Sequence, residues 1–228
     1  MTTAKLAKID HQPATLRDMV QDRMREAIVE GVFQPGERLV ERPLCEQLGV
    51  SRTVIRETIR YLEAEGLVEI LPGHGPIVAS MSWDDARQIY DIRRLLETAA
   101  AEQCARNIDE DITRKLGAAL KRLQKESKGK TRGALFRATS DFYQVVFHGA
   151  GHHIAWEVVQ RLNGRISRLR MLTLTSADRT RPGISYMEDI FSAVVSGDPA
   201  AARRAIQHHL DEATSVAERV FASQDNGQ

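Results

Sequence analysis

The sequence predicts a mainly α-helical protein in two parts, a small helix-rich N-terminal unit with a β-hairpin and a larger all-helical C-terminal unit. Three observations support this. Aromatic residues are scarce at 5%, while good helix formers are abundant. Apolar residues recur at helical spacing along most of the 228 residues. Turn signals also cluster before residue 80 and thin out after it. The expected division is 1–80 and 84–228, with about six helices in the second unit.

Residues 1–11 are polar and without period, which predicts a loose arm. Leu16, Met19, Val20, Met24, Ala27 and Ile28 form one stripe, predicting a helix over 15–28. The stretch QPGERL (34–39) holds a Pro-Gly turn. A short helix is expected over 43–48, with Pro43 tolerated in its first turn. Gly49 ends it, Ser51 caps the next helix over 52–65, and GLVEI and PIVAS flank LPGHG as a hairpin. In the second part, Ser82 to Asp85 reads as a capping box opening a helix to about residue 106. Further helices are expected at about 109–126, 134–149, 152–175 and 184–196. Gly197-Asp198-Pro199 stops the last of these and starts a final helix to about residue 221.

Composition excludes several classes. With 42% hydrophobic and 28% charged residues the chain is globular, not disordered. No apolar run approaches a membrane span, and the N-terminus lacks a signal-peptide core, so a cytoplasmic location and no membrane partner are expected. Cys45 and Cys104 stand far apart, which suits neither a disulfide framework nor a cysteine zinc site. The formal charge is +1, from −2 over residues 1–80 and +3 over the remainder. Any nucleic-acid binding must therefore come from local clustering.

Such a cluster exists. A short helix, a tight turn and a second helix followed by a hairpin have the spacing of a winged helix-turn-helix. On the second helix, Ile55, Ile59 and Leu62 form the seating stripe, while Arg52, Arg56 and Arg60 recur on the opposite side beside Thr53. Arg and Thr near the N-terminus of a helix in a major groove can read base edges and grip phosphates.

The run from Gly31 to Val78 closely resembles the DNA-binding half of the GntR family of bacterial transcription regulators, the likeness spanning about residues 15–80. The resemblance implies DNA contacts from Arg42, Arg52, Thr53, Arg56 and the wing-tip His74-Gly75. Val54 departs from the family, which often has proline there. IYDIRRLLETAAAEQCA (89–105), the segment 139–162 and SAVVSGDPAAARRAIQHHL (192–210) resemble the FCD effector domain of the FadR-type subgroup, in its smaller VanR-like variant. That resemblance implies a homodimer on a two-fold symmetric double-stranded DNA operator, and a small organic acid or derivative as effector. Repression is the expected sense of regulation.

Many FCD domains hold a divalent metal through an Asp, and a His four residues later, plus two further histidines. Those places are Thr139, Tyr143, Met187 and His209 here, a set with one good ligand, so no metal and no cofactor are expected. His148 and His152 share the i,i+4 spacing, but the glycines at 149 and 151 break that face and no third ligand stands nearby. By period His209 points inward and His208 outward. Arg93 intrudes on the apolar stripe of Ile89 and Leu96, where it either pairs with Glu97 or clamps a carboxylate. Polar Arg93, Thr139, Tyr143 and His209, with Met187 as apolar wall, would be costly to bury unpaired, which predicts a ligand cavity. An enzyme carrying a DNA-binding appendage is the rival reading, but no HExxH, P-loop or Ser-His-Asp arrangement supports it. An effector-independent DNA-binding protein is a third, disfavoured by the size of the second part.

Overall fold

The computed structural model describes residues 15–129, 132–174 and 182–225; the expected arm at 1–11 lies outside them. Helix α1 (Leu16–Val29) opens on Thr15, whose hydroxyl accepts from Asp18 N (3.2 Å) while Thr15 N donates to the Asp18 carboxylate (2.9 Å). This reciprocal cap satisfies two amides that a helix start otherwise leaves open. Helix α2 (Glu41–Leu48) starts two residues earlier than Pro43 suggested. Pro43 is its third residue, where the missing N–H still costs no helical bond. Gly49 ends α2 at φ 65°, a left-handed turn that any Cβ would strain. Helix α3 (Arg52–Ala64) follows, capped by Ser51.

Strands β1 (Val68–Leu71) and β2 (Gly75–Val78) pair antiparallel, Val68 with Val78 and Leu71 with Gly75. The segment read as a plain turn at 34–39 also joins the wing. Leu39 N donates to Pro76 O and Gly36 N to Val78 O, both at 2.9 Å, and Arg38 bridges Ile77. Met24, Ile28, Leu39, Leu44, Ile55, Ile59 and Leu62 bury together as the core of this half.

The helical half contains α4 (Trp83–Arg106), α5 (Glu110–Ser127), α6 (Arg132–Gly149), α7 (His153–Arg161), α8 (Asn163–Leu174), α9 (Gly183–Val195) and α10 (Pro199–Asp225). That is seven helices among the described residues, not about six, because the pattern over 152–175 divides at Leu162. Asn163 and Gly164 are poor helix formers, so the chain resists a break little there. Gly164 also lies against the first half: a Cβ on it would stand 2.6 Å from Leu67 Cγ and 2.9 Å from Glu65 O. Helix α4 packs along α10, and α5 along α6, over one core holding Ile89, Tyr90, Phe142, Phe147, Ile190 and Ile206. No helix among the described residues is long and apolar enough to cross a membrane.

Among the described residues, three polar contacts join the halves. Gly133 N donates to Glu30 Oε1 (3.1 Å), Arg137 pairs with Glu26, and Arg168 Nη1 donates to the Ala79 carbonyl. An open cleft of about 840 Å³ lies at this junction, between α1 and α3 on one side and α6 and α7 on the other.

Candidate functional site

Helix α3 sorts its side chains by face. Ile55, Thr58, Ile59 and Leu62 are buried, whereas Arg52, Thr53, Arg56 and Arg60 stand in solvent. Two arginines of this surface have carboxylate neighbours. Arg56 Nε donates to Glu41 Oε1 (2.8 Å), tying α3 to the first turn of α2, and Arg42 Nε donates to Glu46 Oε1 (3.0 Å). The Arg56 hydrogen bond holds the Glu41 carboxyl below its ordinary range. Exposed pairs of this kind are worth about 0–1 kcal/mol, so a phosphate can displace them. At the wing, His74 is exposed with Nδ1 3.3 Å from Pro72 O, and Gly75 opens β2. The Arg38 guanidinium lies beside Gly75, 3.7 Å from where a Cβ would be. Sequence reasoning missed Arg38 because its stretch read only as a turn.

The helical half also encloses charge. Arg93 Nε donates to Glu97 Oε1 (2.7 Å) and Nη2 to Oε2 (3.3 Å), with both side chains 1% exposed. Of the two roles expected for Arg93, the structure therefore forms the pair with Glu97. Burial opposes the Arg93 charge, but the Glu97 carboxylate raises its pKa above the ordinary value. Tyr143, on α6, is buried beside this pair; its hydroxyl makes no well-formed hydrogen bond among the described residues, although the Glu97 carboxylate lies close enough to act on it. Burial, reinforced by Glu97, pushes its pKa well up, so the phenol keeps its proton.

Arg170, on α8, completes the cluster and was not foreseen. Its guanidinium carbon is 5.3 Å from the Tyr143 ring centroid and 5.9 Å from that of Phe136. Part of the side chain reaches solvent, yet the guanidinium is densely surrounded by protein. Burial, and then the like charge of Arg93, push its pKa down to about 10. The only available signal was the Arg-rich stretch 165–170, whose arginines follow no single helical face.

The remaining expected residues are less clearly joined to this group. Thr139 donates to the Leu135 carbonyl of its own helix (2.8 Å). Met187 is buried in the apolar core. His209 is buried and His208 exposed, as their period predicted, but both rings flank Tyr186, at 5.7 and 5.2 Å respectively. His148 stacks near His153 (5.2 Å), not His152.

Comparison with known proteins decides the family. The FCD domain model matches residues 88–212, and the model for bacterial regulatory proteins of the gntR family matches residues 16–78. The chain belongs to the GntR family. Among relatives of this GntR regulator, the HTH-type transcriptional repressor RspR of Escherichia coli K12 is 28% identical over 189 residues, 83% of each chain. The uncharacterised HTH-type regulator YdhC of Bacillus subtilis is 27% identical over 191 residues, 83% of this chain and 85% of its own. Two solved structures share the fold: E. coli McbR/YncC (TM-score 0.75, 20% identity, 91% of this chain and 99% of that one) and a GntR regulator from Rhodococcus sp. RHA1 (TM-score 0.74, 20% identity, 90% and 97%). The chain is thus a DNA-binding transcriptional regulator with an FCD domain, not an enzyme.

The metal found in many FCD domains does not suit this GntR regulator. The Thr139 hydroxyl is committed to its own helix, the Tyr143 phenol is held protonated, and Met187 offers only a thioether. His209 would remain the single strong ligand of the four.

Proposed function

We propose that the chain is a cytoplasmic homodimeric repressor that releases a two-fold symmetric operator when a small organic acid or derivative binds its helical half. Residues 1–80 read the DNA, and 84–228 dimerise and bind the effector. The observation that carries the DNA reading is the exposed row of Arg52, Thr53 and Arg56 on the N-terminal half of α3, with its apolar side buried. In a major groove this row places donors at guanine edges and phosphates, while Arg42, Arg38, His74 and Gly75 flank it from α2 and the wing.

Dimerisation finds support in apolar side chains left in solvent on α4 and α7, namely Ile92, Leu95, Ile154 and Val158, the second and third 72% and 74% exposed. A second copy of the chain is their assigned occupant. Effector binding finds support in buried polar Arg93, Tyr143 and His209, with Thr139 and Met187 beside them in sequence register.

Selection of bound duplexes from a random pool, followed by footprinting, tests the DNA reading. An inverted repeat protected by the protein is expected, and no enrichment by the wild type would refute it. Sedimentation of the wild type and of Leu95→Asp/Ile154→Asp tests the dimer; equal masses for the two would remove that surface from consideration.

A further inference from the structure

We propose that Arg170, together with the Tyr143 hydroxyl, is the anion receptor of the helical half, and that its ligand presents one carboxylate-sized negative charge there. The inference rests on the effector reading above but changes its centre from Arg93 to Arg170.

The argument is first one of charge. Arg93 and Glu97 form a bidentate pair, so they are neutral together and the Arg93 fork is largely engaged. Arg170 adds one more positive charge to the same interior. Its guanidinium makes no hydrogen bond and no ion pair among the described residues; its neighbours are the faces of Phe136 and Tyr143. Aromatic faces stabilise a cation, but they do not replace the hydrogen bonds its guanidinium has lost from water. A largely enclosed guanidinium with no ion pair of its own is costly, and a bound anion offsets that cost. The net charge to be met is one, which favours a monoanion over a dianion.

Geometry supplies the second donor. The Tyr143 hydroxyl is buried and protonated, lies in the field of Glu97 but makes no well-formed hydrogen bond among the described residues, and Arg170 lies over the ring that bears it. One carboxylate oxygen can accept from Tyr143 while the other faces the planar fork of Arg170. Glu97 repels an anion from the Arg93 side, which leaves the Arg170 side as the favourable approach. Arg93 and Glu97 are then positioning residues: they fix the local field and the packing of α4, without touching the ligand.

The location also connects the ligand to the DNA-binding half. Arg170 lies on α8, two residues beyond Arg168, which donates to Ala79 O just after the wing. Gly164, on the same helix, lies against Leu67 and Glu65. Anion binding thus acts on a helix that already contacts the DNA-binding half, which a ligand-controlled change in operator affinity requires.

The test uses the full-length chain at constant ionic strength. Thermal unfolding and isothermal titration are run with acetate, butyrate and benzoate, with the corresponding amides as neutral shape controls, and with inorganic phosphate at pH 8 as a dianion. At least one carboxylate is expected to raise the wild-type Tm while its amide does not. Arg170→Met and Arg170→Gln should weaken that carboxylate at least tenfold, and Tyr143→Phe should weaken it less. Circular dichroism confirms that each variant is folded, and the Gln form preserves polarity if the Met form packs badly. No carboxylate response in the wild type, or an undiminished response in both Arg170 variants, overturns the proposal. Tighter binding of phosphate than of every carboxylate overturns the single-charge assignment. Duplexes selected by the wild type are assayed alongside: DNA binding without an Arg170-dependent anion response refutes the receptor alone, whereas anion binding without DNA binding refutes the regulator reading alone.

Discussion

The α3 surface and the interior of the helical half treat arginine in opposite ways. In the DNA-binding half, Arg42, Arg52, Arg56 and Arg60 stand in solvent, and the ion pairs Arg42–Glu46 and Arg56–Glu41 are exposed. In the helical half, Arg93 is the largest fully buried side chain, locked to an equally buried Glu97, with Arg170 close by. An exposed arginine costs the fold little and is available to a partner. A buried one must be matched by charge and hydrogen bonds or it destabilises the fold. Substitutions should therefore affect binding on the α3 surface and stability in the Arg93 cluster.

The largest expected effect follows from the buried cluster. Removing one member of a buried pair costs about 3–5 kcal/mol, because its partner is left uncompensated. Glu97→Gln removes the carboxylate that pairs with Arg93 and also offsets the Arg170 charge, so it should reach that range. Arg93→Met should cost less, because the Arg170 charge still acts on Glu97. Urea denaturation of both variants checks the order; a larger loss for Arg93→Met would show that Arg170 does not share the field of this pair. The double variant Arg93→Met/Glu97→Met should recover much of the loss, since replacing both charges by apolar side chains is often close to neutral.

Next come the DNA arginines. Arg52→Ala and Arg56→Ala should each weaken operator binding by about 1–3 kcal/mol where the contact is bidentate, with the denaturation midpoint nearly unchanged. Arg56→Ala also frees Glu41, which adds a negative charge near the phosphates. Affinity should fall steeply with salt although the net charge is only +1, because the slope follows phosphate contacts and not net charge. Gel-shift titrations at two salt concentrations read both effects; wild-type affinity in the double variant would remove α3 from the groove.

Between these extremes lies the junction of the halves. Gly164→Ala places a Cβ against the Glu65 carbonyl, a backbone atom that cannot rotate away. Overpacking of this kind typically costs about 1–3 kcal/mol. The expected signature is a lowered Tm together with altered operator affinity, although residue 164 is on neither the DNA-binding face nor the anion cluster. Calorimetry and gel shift on the same preparation check it, and a variant with wild-type values for both would show that the contact at Leu67 yields without effect.

How much of this was legible in the sequence follows the same division. The register of α2, the turn and α3 was readable because apolar and charged residues alternate with helical period around Ile55, Ile59 and Leu62. The wing was readable from Pro and Gly, but its third segment at 36–39 was not, since pairing with β2 is a long-range contact. Arg93 betrayed itself by interrupting an apolar stripe, and Glu97 was its stated competitor. Arg170 gave no such sign: α8 has no clear apolar side, and its neighbours Phe136 and Tyr143 lie more than 25 residues away in sequence. The division of 152–175 was hidden for a related reason, because the close approach of Gly164 to Leu67 depends on the other half of the chain.

The smallest expected effect compares the two capping boxes that open the halves, Thr15 with Asp18 on α1 and Ser82 with Asp85 on α4. Thr15→Ala and Ser82→Ala should each cost about 1 kcal/mol at neutral pH, the usual loss when a helix start loses its cap. Their acid behaviour can be examined separately. The Asp18 carboxylate is held below its ordinary 3.8, first by the backbone amide of Thr15 and then by its hydroxyl. A carboxyl whose folded pKa is depressed stabilises the native state above its ordinary value, and that stabilisation is lost as pH falls through the folded pKa. The unfolded chain binds the proton first, so acid favours unfolding. Asp18→Asn should therefore reduce stability at pH 7 and narrow its gap to the wild type as pH drops below 3.8. Denaturant titrations at pH 7 and at successively lower pH follow the gap. A gap that stays constant or widens in acid would show that the Asp18 charge does not contribute to the cap.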